Sequence, residues 1–186
     1  PSSWQGDNLT DDLRALGVSA VDRIDNFYEW NLEQGGPIIK NKLWFFGAFR
    51  KAKYDRPIAN TFLTPEGVAF PIGFPACASG AISCEQGISD EKMDNPVLRL
   101  TWQVSDRNKL AAYADRALRL RGHAMGALTD PRTASVVWNT PIFGTGSLKY
   151  TSTISSKLLL ETGFSFNRER YDNLYQPGIF AERNTP

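Results

Sequence analysis

The sequence predicts an all-β fold, an antiparallel up-and-down sheet of about six strands arranged as three hairpins. Three observations predict it. Apolar and polar residues alternate with period two from Asn26 onward, helical periodicity is weak throughout, and short turns alternate with long connections.

Residues 1–25 read as a loop or a short helix. The best helical stretch is Asp11 to Val21, with a cap at Thr10 or Asp11 and a break at Gly17. A first hairpin covers 26–54. In it Tyr28, Trp30 and Leu32 alternate with Glu29, Asn31 and Glu33, and Gly35-Gly36-Pro37 predicts the turn. Its second strand, KLWFFGAFRKAKY, is apolar on both faces at its start, so either Trp44 and Phe46 or Phe45 and Phe49 occupy the apolar side. Residues 55–95 form a long loop rich in Pro, Gly and Phe. A second hairpin spans 96–121, where Leu98, Leu100, Trp102 and Val104 alternate with Arg99, Thr101 and Gln103 before a tight turn at Ser105 to Asn108. A second long loop, 122–146, leads to the third hairpin at 147–172. There Leu148, Tyr150 and Ile154, then Leu158, Leu160, Phe164 and Phe166, alternate with polar residues around a turn at Ser155-Ser156.

Sorting short turns to one end and long loops to the other is the habit of a transmembrane β-barrel, with turns periplasmic and loops outside. Strands of about ten residues and rings near their ends, Trp44, Phe45 and Trp102, agree with that habit. On this reading the lipid face comprises Tyr28, Trp30, Leu32, Leu98, Leu100, Leu148, Tyr150, Leu158, Leu160, Phe164 and Phe166. A mean hydropathy of -0.35 does not oppose it, because a barrel's inner side and loops are polar. No apolar run approaches the ~20 residues of a membrane helix. Twenty-one Lys and Arg against 20 Asp and Glu give a net charge of +1, which offers no electrostatic reason for nucleic-acid binding. The chain opens at Pro1 without a secretory leader, so it reads as a fragment of an exported protein, with the barrel wall left open.

Catalytic chemistry finds no constellation in the sequence. There is one histidine, His123, and no G-x-S-x-G elbow. Gly144-Thr145-Gly146 lacks the Gly-Lys-Ser/Thr ending of a phosphate loop. Glu161 and Glu169 on one strand stand about 26 Å apart, too far for a glycosidase pair. The expectation is a protein that is not an enzyme and holds no cofactor and no metal. Cys77 and Cys84 lack zinc-ribbon spacing and, in an exported loop, predict a disulfide. The candidate substrate contacts are the inward-facing Glu29, Arg99, Lys149, Glu161 and Asn167, with the 55–95 loop as a place for ligand capture.

Residues 35–50, GGPIIKNKLWFFGAFR, resemble a hairpin of TonB-dependent receptors of the Oar-like type. LTWQVSDRNKLAAYAD (100–115) and SKLLLETGFSFNRERYDNLYQPGI (156–179) resemble further pieces of that barrel, so the resemblance runs over roughly residues 23–180. It implies a plugged outer-membrane transporter, typically of about 22 strands, in a Gram-negative type bacterium. It also implies contact with outer-membrane lipid, an unknown bulky nutrient as substrate, and energy coupling to the TonB complex through a plug that this chain lacks. Two other readings remain: a structural or adhesion barrel of the outer membrane, and a soluble β-sandwich ligand-binding module.

Overall fold

The computed structural model describes residues 4–6, 8–63, 85–127, 129–132, 134–177 and 179. One short helix, α1 (Asp11–Ala15), precedes seven strands: β1 (Asn26–Ile39), β2 (Leu43–Phe62), β3 (Gln86–Ser105), β4 (Asn108–Arg116), β5 (Leu118–Ala124), β6 (Val136–Ser155) and β7 (Leu158–Tyr175). They form a single antiparallel sheet. β4 and β5 both lie between β3 and β6, and their register against β3 is continuous, with Asp115 opposite Val97 and Leu118 opposite Asp94. They are one strand interrupted at Ala117, so the sheet has six strand positions in up-and-down order. The interruption has a cause on β6. Pro141 has no N–H to give the ladder, and the Thr140 hydroxyl fills in. It donates to the Ala117 carbonyl at 3.1 Å and accepts from the Arg119 N–H at 2.8 Å.

The tight turns sit together at one end, between Ile39 and Leu43, Ser105 and Asn108, and Ser155 and Leu158. The first is not where Gly35-Gly36-Pro37 predicts it. Those residues lie inside β1, opposite Phe46, Phe45 and Trp44, and the chain reverses at Lys40 to Lys42. There Asn41 takes a left-handed φ of 60°, which asparagine tolerates better than most residues. Gly35 serves packing: a Cβ there would stand 3.1 Å from the Phe45 carbonyl oxygen and 3.2 Å from the Phe46 ring. Pro37 is tolerated because β1 is an edge strand.

At the other end the strands outrun their expected length. β2 continues to Phe62, β3 begins at Gln86 and β6 at Val136, so both ends of the expected loop 55–95 and residues 122–124 and 136–146 of the expected loop 122–146 are strand. Period two does not mark these extensions, because stretches such as Ser89 to Asn95 are polar on both faces. Cys77 and Cys84 lie outside the described residues.

Register fixes the two faces, since directly opposed residues of an antiparallel pair point the same way. Leu43, Phe45 and Phe49 oppose Trp102, Leu100 and Pro96; Leu98 and Leu100 oppose Ala114 and Ala112; Ala112 and Leu110 oppose Leu148 and Tyr150; Leu148 opposes Phe164. Leu32 opposes Phe49, which brings Tyr28 and Trp30 to the same side. All of the alternating apolar residues therefore share one face across every strand position. The choice left open on the second strand resolves to Phe45 and Phe49, with Trp44 and Phe46 behind. Nothing covers this face among the described residues: Trp30, Leu32 and Phe164 are 65%, 66% and 68% exposed. Among the described residues only three hydrophobic ones, Ala52, Ile58 and Phe62, are buried.

Two of those three belong to the loop end, where the chain does form a small interior. Pro57, Thr61 and Ser135 are fully buried there. Gln176 ties it together by donating to the Gly122 carbonyl at 2.7 Å and to Ser135 Oγ at 2.8 Å. The segment before β1 is held against this end. Its helix is shorter than the 11–21 stretch expected, capped by Thr10 and followed by Gly17 at φ 90°. Asn60, at φ 50°, accepts at Oδ1 from the Ser19 N–H (2.9 Å) and Ala20 N–H (3.3 Å) and donates from Nδ2 to the Gly17 carbonyl (3.1 Å). Asn60→Ala removes these bonds, and with them the one that the Ser19 hydroxyl donates to Oδ1 at 3.2 Å, while keeping an unfavourable φ, and should loosen residues 17–20 by about 1–3 kcal/mol. Hydrogen exchange at the Ser19 and Ala20 amides reports it, and unchanged protection would dismiss Asn60 as the anchor.

Candidate functional site

The face opposite the apolar one is polar, and it carries all five inward-facing candidates. Glu29 lies beside the Asn31–Arg50 pair of the β1–β2 ladder and accepts from Arg50 Nη2 at 2.6 Å and Asn31 Nδ2 at 2.8 Å. Arg99 stands between Phe46 and Tyr113, its neighbours on β2 and β4. Lys149 and Glu161 meet at 2.8 Å, and Thr151 Oγ1 donates to the same carboxylate at 3.3 Å. Asn167 opposes Thr145. Only Lys149 and Glu161 come together. Glu29 on β1 lies five strand spacings away from Glu161 on β7, roughly 24 Å across the sheet. These five residues share a face without forming a single site.

A compact constellation does form higher on the polar face, toward the loop end, and sequence reasoning missed it. β5 alternates Leu118 and Leu120 with Arg119 and Arg121, so both arginines point to the polar side. Pairing with β3 sets Arg121 opposite Glu91 and Arg119 opposite Met93. Glu91 receives both arginines. Arg119 Nε donates to Oε1 at 2.9 Å, with Nη2 also bonded there, and Arg121 Nε donates to Oε2 at 2.8 Å. Burial alone would push the Glu91 carboxyl up, but the bonds from Arg119 and Arg121 outweigh it and hold its pKa below the ordinary carboxylate value.

From β6, Trp138 stands opposite Arg121 and lies beneath both guanidiniums, whose carbons are 5.4 and 5.7 Å from its ring centroid. Tyr171 of β7 stacks on the same indole at 6.5 Å and is itself 57% exposed. Beside this cluster opens a cleft of about 390 Å³ that reaches to Phe27 and Tyr54, whose rings are 5.1 Å apart. Aromatic faces and guanidinium donors around a cleft suit reversible binding of a polar ligand. The Glu91 carboxylate is taken up by its arginines, which leaves it a positioning role.

A larger cleft, about 840 Å³, lies on the other side of the sheet near Asp55, Asp90 and His123, where His123 Nδ1 is 2.7 Å from Asp90 Oδ1. We favour the smaller cleft because charge, ring stacking and the polar face coincide there. Among the described residues no three His, Cys, Asp or Glu side chains gather as a metal site.

Glu91→Gln leaves two arginines without their counter-charge. It should destabilise the sheet by about 1–2 kcal/mol, less than a fully buried pair would, because the arginine side chains are 39% and 44% exposed. Urea unfolding of the full chain in detergent micelles measures this, and an unchanged midpoint would mean that the triad contributes nothing. No protein-family model, curated protein or solved structure matches this chain.

Proposed function

We propose that this chain is part of the wall of an outer-membrane β-barrel transporter of the TonB-dependent kind, with its apolar face toward lipid and its polar face toward the passage. The observation that carries the reading is the register-aligned apolar face. It crosses every strand position while only three hydrophobic residues are buried among those described. A soluble monomer rarely leaves so wide an apolar surface in water, whereas a bilayer is the solvent that such a surface fits.

The dimensions support it. Leu158 to Phe166 on β7 spans about 26 Å along the strand, or about 20 Å across the membrane at a tilt near 40°. Trp30 and Tyr28 stand one and two same-face steps beyond Phe49 of β2, opposite Lys51 and Lys53, where an interfacial ring girdle would lie. Six strand positions fall short of the eight that the smallest barrels use, so closure needs further strands at the free edges, β1 and β7. A plug and a segment engaging TonB would likewise be supplied from beyond these residues. In this reading the cluster of Trp138, Tyr171, Arg119 and Arg121 stands at the outer mouth of the passage and makes first contact with the nutrient.

The full 186-residue chain should require detergent to remain monodisperse. A sharp, monomeric, cooperatively melting species on sizing chromatography without detergent would overturn the reading in favour of a soluble sheet protein. Adjacent substitutions give a second test. Leu100→Arg, in the middle of the apolar run from Pro96 to Val104 on β3, should cost about 2–4 kcal/mol in a detergent- or lipid-folded chain, while Thr101→Arg on the polar face costs under about 1 kcal/mol. Equal costs at the two positions would reject the lipid-facing assignment.

A further inference from the structure

On the apolar face, the row holding Ala114, Gly146 and Phe166 is followed, one step nearer the loop end, by Arg116, Gly144 and Arg168, opposite one another on β4, β6 and β7. Gly144 carries no side chain and has room for none, since a Cβ there would stand 2.6 Å from the Asp115 carbonyl oxygen. The two arginine backbones are thus two strand spacings apart, roughly 9.5 Å, and no side chain stands between them in this row. Both residues are exposed. Arg116 spends one Nη2 bond on the Pro141 carbonyl, at 3.1 Å, and Arg168 has no acidic partner among the described residues. Two carboxylates of this face just nearer the loop end are already engaged: Asp172 by Arg170 at 3.1 Å and Asp94 by Lys51 at 3.6 Å. Lys92, opposite Lys53 and Leu120, adds positive charge two same-face steps nearer the loop end.

We propose that Arg116 and Arg168 clamp the phosphate of an anionic lipid headgroup whose acyl chains lie over Phe166, Phe164 and Leu148. The inference rests on the membrane-wall reading and adds the identity of a bound lipid to it. Each guanidinium presents a planar fork of donors that matches a phosphate, and two arginines flanking a residue without a side chain can close on the same group. Continuity selects a lipid over a free anion. The clamp opens onto the same face as the exposed rings of Phe164 (68%) and Phe166 (54%), so one amphipathic molecule satisfies both surfaces at once. Above the clamp Leu118 and Leu120 continue the apolar set beside the charged Asp94 and Lys92 of β3, and the arginines stand on either side of the uncharged Gly144. That placement lets long side chains carry their charge to the membrane surface while their stems stay against apolar neighbours.

The test uses the full chain folded in zwitterionic micelles and titrated with phosphatidylglycerol or with phosphatidylcholine of the same acyl chains, bound lipid being counted by native mass spectrometry. Phosphatidylglycerol should bind about tenfold more tightly. Arg116→Gln/Arg168→Gln should abolish that preference, while Lys109→Gln on the polar face should leave it. Equal retention of the two lipids by the unaltered chain, or a preference that survives the double substitution, overturns the clamp alone. Displacement of the lipid by millimolar inorganic phosphate assigns a free-anion site and overturns the lipid. A chain that refuses micelles altogether refutes the membrane reading and the clamp with it. Should the double variant fail to fold, Arg168→Gln on the edge strand carries the test, with a severalfold loss of preference expected and an unchanged preference counting against the clamp.

Discussion

Strand register is the constraint on which everything else in this molecule depends. Opposed residues share a face, so a slip of one residue on any strand would move its apolar set to the other side of the sheet. Four kinds of interaction hold the register. Turns of two or three residues tie the strands in pairs at one end. Cross-strand ion pairs, Glu29 with Arg50 and Lys149 with Glu161, fit only the observed alignment on the polar face. Glycines accept close neighbours: the Phe166 ring lies over Gly146, and the Phe46 ring over Gly35. At the loop end, Gln86 Nε2 donates to the carbonyls of Val21 and Ile58, at 3.0 and 2.9 Å, and locks β3 to the segment before β1. Each contributes about 0.2–1 kcal/mol, and together they act against the same slip.

The alignment has a thermodynamic consequence. A sheet with one apolar face normally gains its stability by laying that face on a second layer. Here the described chain contains no such layer, and its buried interior is centred on the loop-end cluster around Ile58, Phe62 and Ser135. The ladder bonds and polar-face ion pairs hold strand to strand, but they do not remove apolar area from water. The molecule's largest favourable term is therefore left for its surroundings to supply. For the same reason the proposed binding cluster lies on the polar face: arginines, carboxylates and rings can be fixed there by neighbouring strands without a hydrophobic core beneath them.

Period two made most of this fold legible in the sequence. β1, β3, β6 and β7 each have one clean apolar set, and the pairing puts all of those sets on one side. The second strand was ambiguous because Leu43 to Phe46 is apolar on both faces. Only its neighbours decide, through Phe45 opposite Leu100 and Phe49 opposite Leu32. The strand extensions were illegible because, outside the apolar band, a strand has no reason to alternate, and Pro57 and Pro141 argue locally against one. Gly35-Gly36-Pro37 carries turn chemistry yet lies in a strand, its glycines serving close packing. The Glu91, Arg119, Arg121, Trp138 and Tyr171 cluster draws on four strands, and a linear reading ranks such residues one by one. The Leu-Arg-Leu-Arg alternation at 118–121 was the one available signal, since it aims two guanidiniums at one face.

The two edges complete the physical picture. β1 and β7 each pair on one side only, and both are exposed along almost their whole length. An edge of unpaired N–H and C=O groups seeks another strand, and proteins that stay monomeric in water usually blunt it with bulges, prolines or inward charges. Here the blunting is slight. Pro37 sits at the turn end of β1, and the charges of β7 beside the apolar band, such as Glu161, lie on the polar face, where they leave the ladder groups open. With an even number of strand positions, β1 and β7 run antiparallel to each other, so strands can be added at either edge without breaking the up-and-down alternation. Free edges and an uncovered face are two separate costs in water, and closing the sheet within a bilayer removes both together.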